Sequence, residues 1–379
     1  MRVVVVGAGV FGSWSAKFLA DAGHEVTLVD AYGPANGRSS SADYTRVIRT
    51  GYGADEIYSR WASESLHDWQ WLCEATGQPL LARTGALFMG EPGSQYVQDT
   101  YRTLHRLGIE VDLMDPERLH QQFPQISVAR LGATVFEPRA GVIRARAAVQ
   151  ALVGLLVRSS AVSYAQIQVQ PLDEQSASCV LITSEGATLQ ADAYVCACGP
   201  WLPKFLPLAV GRRVRVTRQE VLYFGTPPGA AQFSASRLPV WIDFAAGLYG
   251  ISDLDALGFK VGIDRHGPEI DPDTIDRIVE PDVVDGTRQW LGRRFPGLQE
   301  TPLVDARVCQ YENTSSGDFI VDRHPAWPHC WIVGGGSGHG FKHGPAVGRH
   351  VAALVDQSVE VNARFALATK STAAARAVF

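Results

Sequence analysis

The sequence predicts an α/β (α+β) protein in which a discontinuous Rossmann-like nucleotide-binding domain carries an inserted antiparallel-sheet domain. Three observations lead to this prediction. The chain opens with a strand, a glycine-rich loop and a helix, which together begin a βαβ unit. A second glycine-rich loop, at residues 334–340, follows a strand near the other end of the chain. Between the two loops, residues 212–263 have the texture of antiparallel strands joined by turns.

Composition narrows the class of protein. A length of 379 residues exceeds one ordinary core, so we expect two domains. The hydrophobic content of 46% and charged content of 19% are typical of a globular chain. The net charge of −5 disfavours nucleic acid or an anionic membrane as the main partner. The six cysteines lack metal-type spacing and predict reduced thiols in a cytoplasmic protein, without a secretory signal or a membrane span.

The N-terminal elements follow from local pattern. The β-branched run at residues 3–6 predicts a fully buried strand. Residues 10–22 read as a helix that Gly23 ends, and residues 25–29 form the next strand, which terminates at Asp30. This order is that of a βαβ unit.

Further elements follow along the chain. Helices are predicted at residues 54–76, 144–158, 271–291 and 344–356. Strands are predicted at residues 162–169, 179–183, 193–198, 212–216, 220–224, 240–243, 248–251, 259–263 and 331–334. The nucleotide-binding domain is therefore predicted to comprise residues 1–83, 145–212 and 313–379, and the inserted substrate domain residues 84–144 and 213–312.

The first glycine-rich loop has the chemistry of a dinucleotide site. Gly7 permits a tight turn, Gly9 lets the backbone approach a pyrophosphate, and Gly12 lets the helix pack closely on the sheet. The helix N-terminus supplies N–H groups and a positive dipole to the phosphates. Asp30 ends the second strand, where a carboxylate accepts hydrogen bonds from ribose hydroxyls. That carboxylate favours FAD or NAD over NADP.

Several motifs together resemble the D-amino-acid-oxidase superfamily, most closely its monomeric sarcosine oxidase and N-methyltryptophan oxidase group. The resemblance runs along essentially the whole chain. The matching segments are residues 7–12 with 29–31, 38–41 with 45–49, 137–138 with 141–142, 198–201, 259–262 with 270–274, 308–314 and 337–342. The last two segments are highly specific for this group.

The resemblance implies FAD as the cofactor. Cys309 matches the cysteine that binds the flavin 8-methyl group through a thioether, whereas a buried core cysteine is the alternative. Arg307 favours the thiolate if the strand is regular, since residues 307 and 309 then share a face. The other cofactor-binding residues that the resemblance implies are Gly7, Gly9, Val10, Phe11, Gly12, Asp30, Ser39, Ser40, Thr45, Arg46, Gly335, Ser337, Gly338, His339, Gly340 and Lys342.

The resemblance also implies the catalytic and substrate-binding residues. Lys260 matches the lysine that activates O2 beside the flavin, and a lysine on an edge strand is the alternative. Arg49 and Lys342 match the two cations that bind the substrate carboxylate. Tyr249 and Tyr311 match the tyrosines that shape the pocket.

Two positions depart from the pattern of the sarcosine oxidases. Asp264 stands where that group carries a histidine, near the bound amine. A carboxylate there pairs with a cation or acts as a base, and it puts sarcosine itself in doubt; a turn former is the alternative. Ala54 stands where an acid is usual, and Asp55 is the candidate substitute.

The function implied is FAD-dependent oxidation of the C–N bond of a secondary or cyclic amino acid, with O2 as acceptor and H2O2 as product. The alternatives are a dehydrogenase or ring-desaturating flavoenzyme, and a non-catalytic flavin-binding redox sensor. The partners expected are an amino acid with a carboxylate and O2, and the family precedent is a monomer. No metal site is expected, because the pair His339 and His343 lies in a glycine-rich loop without a third ligand.

Overall fold

The computed structural model describes residues 1–372. The remaining positions of the alanine-rich tail, which the sequence predicts to be frayed after Thr369, lie outside the described residues. The α-helices of the described part are α1 (Val10–Asp21), α2 (Glu56–Thr76), α3 (Gln95–Arg106), α4 (Pro116–Gln122), α5 (Ala145–Arg158), α6 (Leu202–Phe205), α7 (Pro281–Arg294) and α8 (Gly344–Val355). No helix within residues 1–372 is both long and apolar enough to cross a bilayer.

One sheet collects strands from the beginning, middle and end of the chain. Its spatial order is β18 (Ile320–Arg323), β19 (Cys330–Gly334), β12 (Ala193–Cys196), β1 (Arg2–Val6), β2 (Glu25–Asp30) and β9 (Val162–Gln166). All neighbours are parallel except β18 and β19. Apolar clusters cover both faces of this sheet, which explains the continuous valine run of β1.

A second sheet is mostly antiparallel. Its spatial order is β17 (Leu303–Thr314), β13 (Val214–Phe224), β16 (Phe259–Ile263), β15 (Leu248–Ile251), β14 (Val240–Asp243), β5 (Ala86–Met89), β7 (Thr134–Glu137) and β6 (Asp112–Met114). The long strands β13 and β17 pair along nearly their whole length. The tip of β17 therefore reaches the first sheet, where it lies against the second glycine-rich loop.

Two small sheets complete the described structure. One joins β3 (Arg46–Ile48), β8 (Gly141–Ile143) and β4 (Leu81–Arg83), and the other pairs β10 (Leu181–Ile182) with β11 (Thr188–Leu189). The first of these sheets contains a predicted cofactor-binding residue, because β3 begins at Arg46.

The helix predicted at residues 271–291 is wrong in its first half. The helix begins only at Pro281, and the preceding residues form turns and extended backbone. Side-chain partners outside the segment explain the difference: Asp273 accepts from Trp201 Nε1 at 2.7 Å and from Lys204 Nζ at 2.6 Å. Arg277 donates to the carbonyl oxygen of Val308 at 3.2 Å. These contacts compete with helical hydrogen bonds.

Strand boundaries differ in several places, including the strand predicted at residues 193–198, which ends at Cys196. The strands predicted at residues 212–216 and 220–224 form the single strand β13, because pairing with β17 continues through the residues between them. The strand predicted at residues 162–169 ends at Gln166, where its pairing with β2 stops. The strand predicted at residues 179–183 is reduced to β10.

Candidate active site

The first glycine-rich loop connects β1 to the N-terminus of α1. A side chain at Gly12 would overlap the carbonyl oxygen of Gly7, so only glycine lets the helix approach the loop this closely. The amide of Val10 donates to Ser41 Oγ at 3.2 Å, which joins the loop to the segment before β3. The predicted cofactor residues of the first loop and of residues 39–46 therefore lie together.

Asp30 holds the ends of β1 and β2 in register with the loop. Its Oδ2 accepts from the amide of Ala8 at 2.8 Å, and its Oδ1 accepts from the amides of Tyr32 and Gly33, both at 2.8 Å. Burial raises the pKa of Asp30, and these amide donors oppose the shift. The carboxylate sits at the carboxyl edge of a parallel sheet, the usual place for a nucleotide ribose.

The second glycine-rich loop packs against the end of β17. Gly338 has a φ of 79°, and a side chain there would press into the ring of Tyr311. The amide of Ser337 donates to the carbonyl of Glu312 at 3.0 Å. Ser40 Oγ donates to Glu312 Oε1 at 2.7 Å. Glu312 thus joins the second glycine-rich loop to the N-terminal segment that contains Ser40.

A long cleft runs between these loops, and its lining fits FAD. It extends from Asp30, past the N-terminus of α1, to Tyr311. Of the predicted cofactor residues, the lining includes Gly7, Gly9, Val10, Phe11, Asp30, Ser39, Ser40, Arg46, Ser337, Gly338 and Gly340. The buried Gln310 Oε1, also at the cleft, has no hydrogen-bond partner among the described residues. Phosphate-binding backbone, a ribose-type carboxylate and an unpartnered polar atom are together what an extended dinucleotide requires.

The predicted cofactor residues that do not line this cleft are Gly12, Thr45, Cys309, Gly335, His339 and Lys342. Thr45 accepts a hydrogen bond from Lys260, and His339 Nε2 lies 3.0 Å from the carbonyl of Gly317. Gly335, with a φ of 67°, turns the chain after β19.

Cys309 precedes Gln310, which lines the cleft, but is not itself among the lining residues. Arg46 Nη2 is 3.3 Å from Cys309 Sγ and donates to the carbonyl of Ser40 at 2.9 Å. The strand is regular here, so Arg307 shares the face of Cys309. Arg307 nevertheless bonds to Asp305 at 2.9 Å and lies on the ring of Tyr44. The cation in contact with the sulfur is therefore Arg46, not Arg307 as the sequence suggests.

Lys260 is fully buried in the middle of the second sheet. It lies on β16, between β13 and β15, so the edge-strand alternative is wrong. Its Nζ donates to Asp43 Oδ2 at 2.6 Å and to the carbonyl of Thr45 at 2.7 Å. Burial lowers the pKa of Lys260 to about 8, with Asp43 opposing the shift and Arg46 adding to it.

Asp43 is the residue that sequence reasoning missed. Besides Lys260, it pairs with Arg46 at 2.5 Å and accepts from Tyr223 Oη at 2.7 Å. Burial alone raises the pKa of Asp43, but Lys260 and Arg46 outweigh it and hold the pKa well below its usual range. A signal existed: Asp43 is a carboxylate between the matching segments 38–41 and 45–49, and a buried lysine requires a counter-charge.

Arg49 and Lys342 lie on either side of Tyr52. The guanidinium of Arg49 is 4.6 Å from the centroid of the Tyr52 ring, and Lys342 Nζ donates to Tyr52 Oη at 2.7 Å. Both cations are buried. Burial, and then the charge of Arg49, hold the pKa of Lys342 well below its usual value. The two predicted carboxylate-binding residues are thus brought together.

Asp264 faces the same two cations. It directly follows β16, is buried, and its Oδ1 accepts from Tyr311 Oη at 3.1 Å. Burial raises the pKa of Asp264 to about 6, although Arg49, Tyr311 and Lys342 oppose the shift. Its environment is therefore that of an internal carboxylate beside the predicted pocket tyrosine.

Tyr249 and Tyr311 enclose this region. Tyr249 lies on β15 opposite Gly262, whose missing side chain leaves room for the phenol ring. Burial raises the pKa of Tyr249, and Asp264 adds to the shift. Burial also raises the pKa of Tyr311. Both phenols therefore stay protonated at neutral pH and can donate hydrogen bonds.

Asp55 forms an ion pair with Arg364, which also contacts Asp318 at 2.7 Å, and it is not among the residues that line the cleft. Within residues 1–372, no cluster of histidine, cysteine or carboxylate side chains could hold a metal ion.

No site role was predicted for Glu137 or Tyr52 from the sequence. Glu137 is buried, and its carboxylate accepts from the amide of Thr50 at 2.9 and 3.1 Å, which fixes the backbone beside Arg49. Tyr52 follows Arg49 by three positions in a loop, where no periodic pattern marks it.

Several known proteins are similar to this chain along most of its length. Monomeric sarcosine oxidase from Bacillus sp. (strain B-0618) is 30% identical over 357 residues, covering 93% of this chain and 91% of that protein. N-methyl-L-tryptophan oxidase from Yersinia pestis (strain Pestoides F) is 26% identical and covers 94% of each chain. The crystal structure of L-proline dehydrogenase from P. horikoshii has the same fold, with a TM-score of 0.83, 20% identity, and coverage of 97% and 96%.

The family comparison spans nearly the whole chain. The model for the FAD dependent oxidoreductase family, DAO, matches residues 2–354, which include both glycine-rich loops, Lys260, Cys309 and Lys342. The chain therefore belongs to the DAO family of FAD-dependent oxidoreductases.

Proposed function

We propose that this enzyme oxidises the C–N bond of a secondary or cyclic amino acid, with O2 as the electron acceptor. The products are an imine, which hydrolyses or persists if cyclic, and H2O2. The relatives that support this proposal bear the names sarcosine oxidase and N-methyl-L-tryptophan oxidase. The substrate side chain is left open, because Asp264 replaces the histidine of the sarcosine oxidases.

The observation that carries the proposal is the buried pair of cations, Arg49 and Lys342. Two positive charges taken out of water are costly, and an anion that binds both lowers that cost in addition to the nearby carboxyl groups of Asp264 and Glu137. A substrate carboxylate supplies that anion, with the guanidinium binding two oxygens and the ammonium adding a point charge. In this proposal the pair orients the substrate and sets its preference for acids over simple amines.

Asp264 acts on the amine side of the substrate. Its pKa of about 6 leaves it ionised at neutral pH, where it can pair with an ammonium group or take a proton from it. Removal of that proton frees the nitrogen lone pair, which assists loss of hydrogen from the adjacent carbon. Tyr311 donates to Asp264 and fixes its direction.

FAD would be held by the two glycine-rich loops and Asp30. When bound, it supplies the two-electron chemistry: it accepts hydrogen from the carbon next to nitrogen and passes electrons to O2. We propose a covalent thioether from Cys309, with Arg46 placing a positive charge beside the sulfur. Lys260 provides the buried cation that stabilises negative charge developing on oxygen.

A peroxide-coupled screen of N-methyl and cyclic amino acids on the purified yellow protein tests the proposal. We expect H2O2 to form with a free amino acid and not with its methyl ester, because the ester lacks the negative charge that Arg49 and Lys342 bind. Reduction of the flavin by an amino acid without H2O2 in air would favour the dehydrogenase alternative instead. A protein that binds flavin and is reduced by none of these compounds would favour the redox sensor.

We further propose that residues 1–83, 145–212 and 313–379 form the FAD-binding domain, and residues 84–144 and 213–312 the substrate domain. The strands of the six-stranded sheet fall within the first set. We also expect a cytoplasmic monomer, which light scattering of the purified protein tests for oligomeric state. Its six cysteines, all within residues 1–372, form no disulfide, which fits a reducing compartment.

A further inference from the structure

Tyr52 contacts both buried cations of the carboxylate site. Its hydroxyl accepts a hydrogen bond from Lys342 Nζ at 2.7 Å, and its ring lies beneath the guanidinium of Arg49 at 4.6 Å. The side chain itself is buried. A change at this position therefore acts on two charges at once.

His343 fixes the direction of the Tyr52 hydroxyl. Its Nε2 lies 2.7 Å from Tyr52 Oη, and it is fully buried. A charged Lys342 can only donate, so the hydroxyl accepts from Lys342 and directs its single hydrogen to His343 Nε2, which is closer than His339 Nδ1 at 3.4 Å. Burial, and then the charge of Lys342, hold the pKa of His343 well below its usual value, so the ring is neutral and able to accept.

Two of the three N–H groups of Lys342 donate hydrogen bonds within the protein. One points to Tyr52 Oη and one to the carbonyl of His339 at 2.9 Å. Among residues 1–372, no carboxylate forms an ion pair with Lys342. The third N–H group is thereby available for an anion that comes from outside the protein.

We propose that Tyr52 is the positioning residue of the carboxylate site: its hydroxyl directs Lys342 and its ring supports Arg49. This inference rests on the function proposed above and deepens it. In this arrangement the preference for a carboxylate over a neutral group depends on the chain Lys342–Tyr52–His343, and not on the two cations alone.

The test compares binding of methoxyacetate and of its neutral counterpart, methoxyacetamide, to the flavin-loaded enzyme. We expect Tyr52→Phe to weaken methoxyacetate binding roughly tenfold, the effect of losing one hydrogen bond to a charged group, while methoxyacetamide binding stays the same. In turnover, KM for the amino acid should rise more than kcat falls. His343→Leu removes the acceptor of the hydroxyl and should weaken methoxyacetate binding in the same direction.

Tyr58→Phe is the matched control. The ring centroids of Tyr58 and Tyr52 are 5.3 Å apart in the same aromatic cluster. The hydroxyl of Tyr58, however, donates to Asp318 at 2.9 Å. The control should therefore keep the wild-type preference for methoxyacetate. An equal loss in Tyr58→Phe and Tyr52→Phe would reduce Tyr52 to a packing residue and overturn the inference.

A double-mutant cycle separates the inference from the proposed function. If Tyr52 acts through Lys342, Tyr52→Phe should have little further effect on methoxyacetate binding in a Lys342→Met background. An undiminished loss in that background would overturn the role of Tyr52 while leaving the carboxylate site intact. A wild-type enzyme that binds the acid and the amide equally would instead overturn the carboxylate site, and the inference with it.

Discussion

Lys260 Nζ lies 2.6 Å from Asp43 Oδ2, and both side chains are almost completely buried. The pair joins β16 of the second sheet to the segment before β3. Arg46 binds the same carboxylate oxygen and also contacts Cys309. One buried carboxylate therefore connects the lysine proposed to act on oxygen with the cysteine proposed to hold the flavin.

Asp43→Asn should disturb both functions. With the negative charge gone, two buried cations lose their counter-charge, and we expect the variant to be less stable by about 3–5 kcal/mol. The pKa of Lys260 should fall further, so flavin reoxidation at neutral pH should slow more than flavin reduction. Denaturant unfolding and stopped-flow kinetics measure these effects. Tyr223→Phe removes only one hydrogen bond to Asp43 and is the control; equal effects in both variants would contradict the charge argument.

Lys260→Met should separate the two half-reactions. We expect anaerobic flavin reduction by substrate to be largely intact and reoxidation by O2 to slow by roughly 10²–10³, since a few kcal/mol of electrostatic stabilisation is lost. In the wild type, Lys260 is charged below its pKa of about 8. The reoxidation rate should thus fall as the pH rises through about 8, and the variant should lack this fall. Equal slowing of both half-reactions would exclude the proposed role.

Cys309→Ser should change how the flavin is held. Acid precipitation should leave yellow colour in the wild-type pellet, because a thioether survives denaturation, whereas the variant should release its FAD into the supernatant. Cys198→Ser is the control, since Cys198 lines the cleft and its substitution should leave the linkage intact. Release of all flavin from the wild-type enzyme by acid would refute the covalent link.

The sequence predicts the fold well where a pattern is local. The valine run of β1, the glycine-rich loops and the alternating strands are local patterns, so the α/β class and part of each large sheet follow from them, whereas β5, β6, β7, β17 and β18 are not predicted as strands. Residues 271–280 were predicted to be helical because Pro272 and the two aspartates resemble a helix start. Their side chains bind Trp201 and Lys204 instead, and a contact so distant in sequence leaves no local pattern.

The residues of the candidate site also fall into two groups: those that a sequence motif marks, and those whose role depends on contacts made after folding. Lys260, Arg49 and Lys342 stand in motifs that the family resemblance identifies, and the structure brings the two cations together around Tyr52. Asp43 and Tyr52 acquire their importance only from what surrounds them after folding. A buried charge requires a partner, but the sequence alone does not say which residue supplies it.

Asp264→Asn tests the role of the residue that departs from the sarcosine oxidases. The substitution keeps the shape and removes the charge, so turnover of the true substrate should drop strongly while binding of methoxyacetate changes little. Since burial raises the pKa of Asp264 to about 6, wild-type turnover at low substrate should rise as the pH increases through about 6. That rise should be absent in the variant. Unchanged kinetics and an unchanged pH profile would make Asp264 a structural residue.

The pH dependence of the unfolding free energy gives a second and independent measure of the pKa of Asp264. The folded protein holds the Asp264 proton up to about pH 6, whereas the unfolded chain releases it near the usual value of 3.8. Between these two pKa values the folded state binds more protons, so this group makes the wild type less stable as the pH rises from about 4 to 6. Asp264→Asn lacks this cost and should gain stability relative to the wild type across that window, by up to about 3 kcal/mol. Thermal unfolding of both proteins between pH 4 and 7 measures the difference. A difference that is constant with pH would mean that the Asp264 carboxyl ionises as it does in water, and its proposed action as a base near neutral pH would lose its electrostatic foundation.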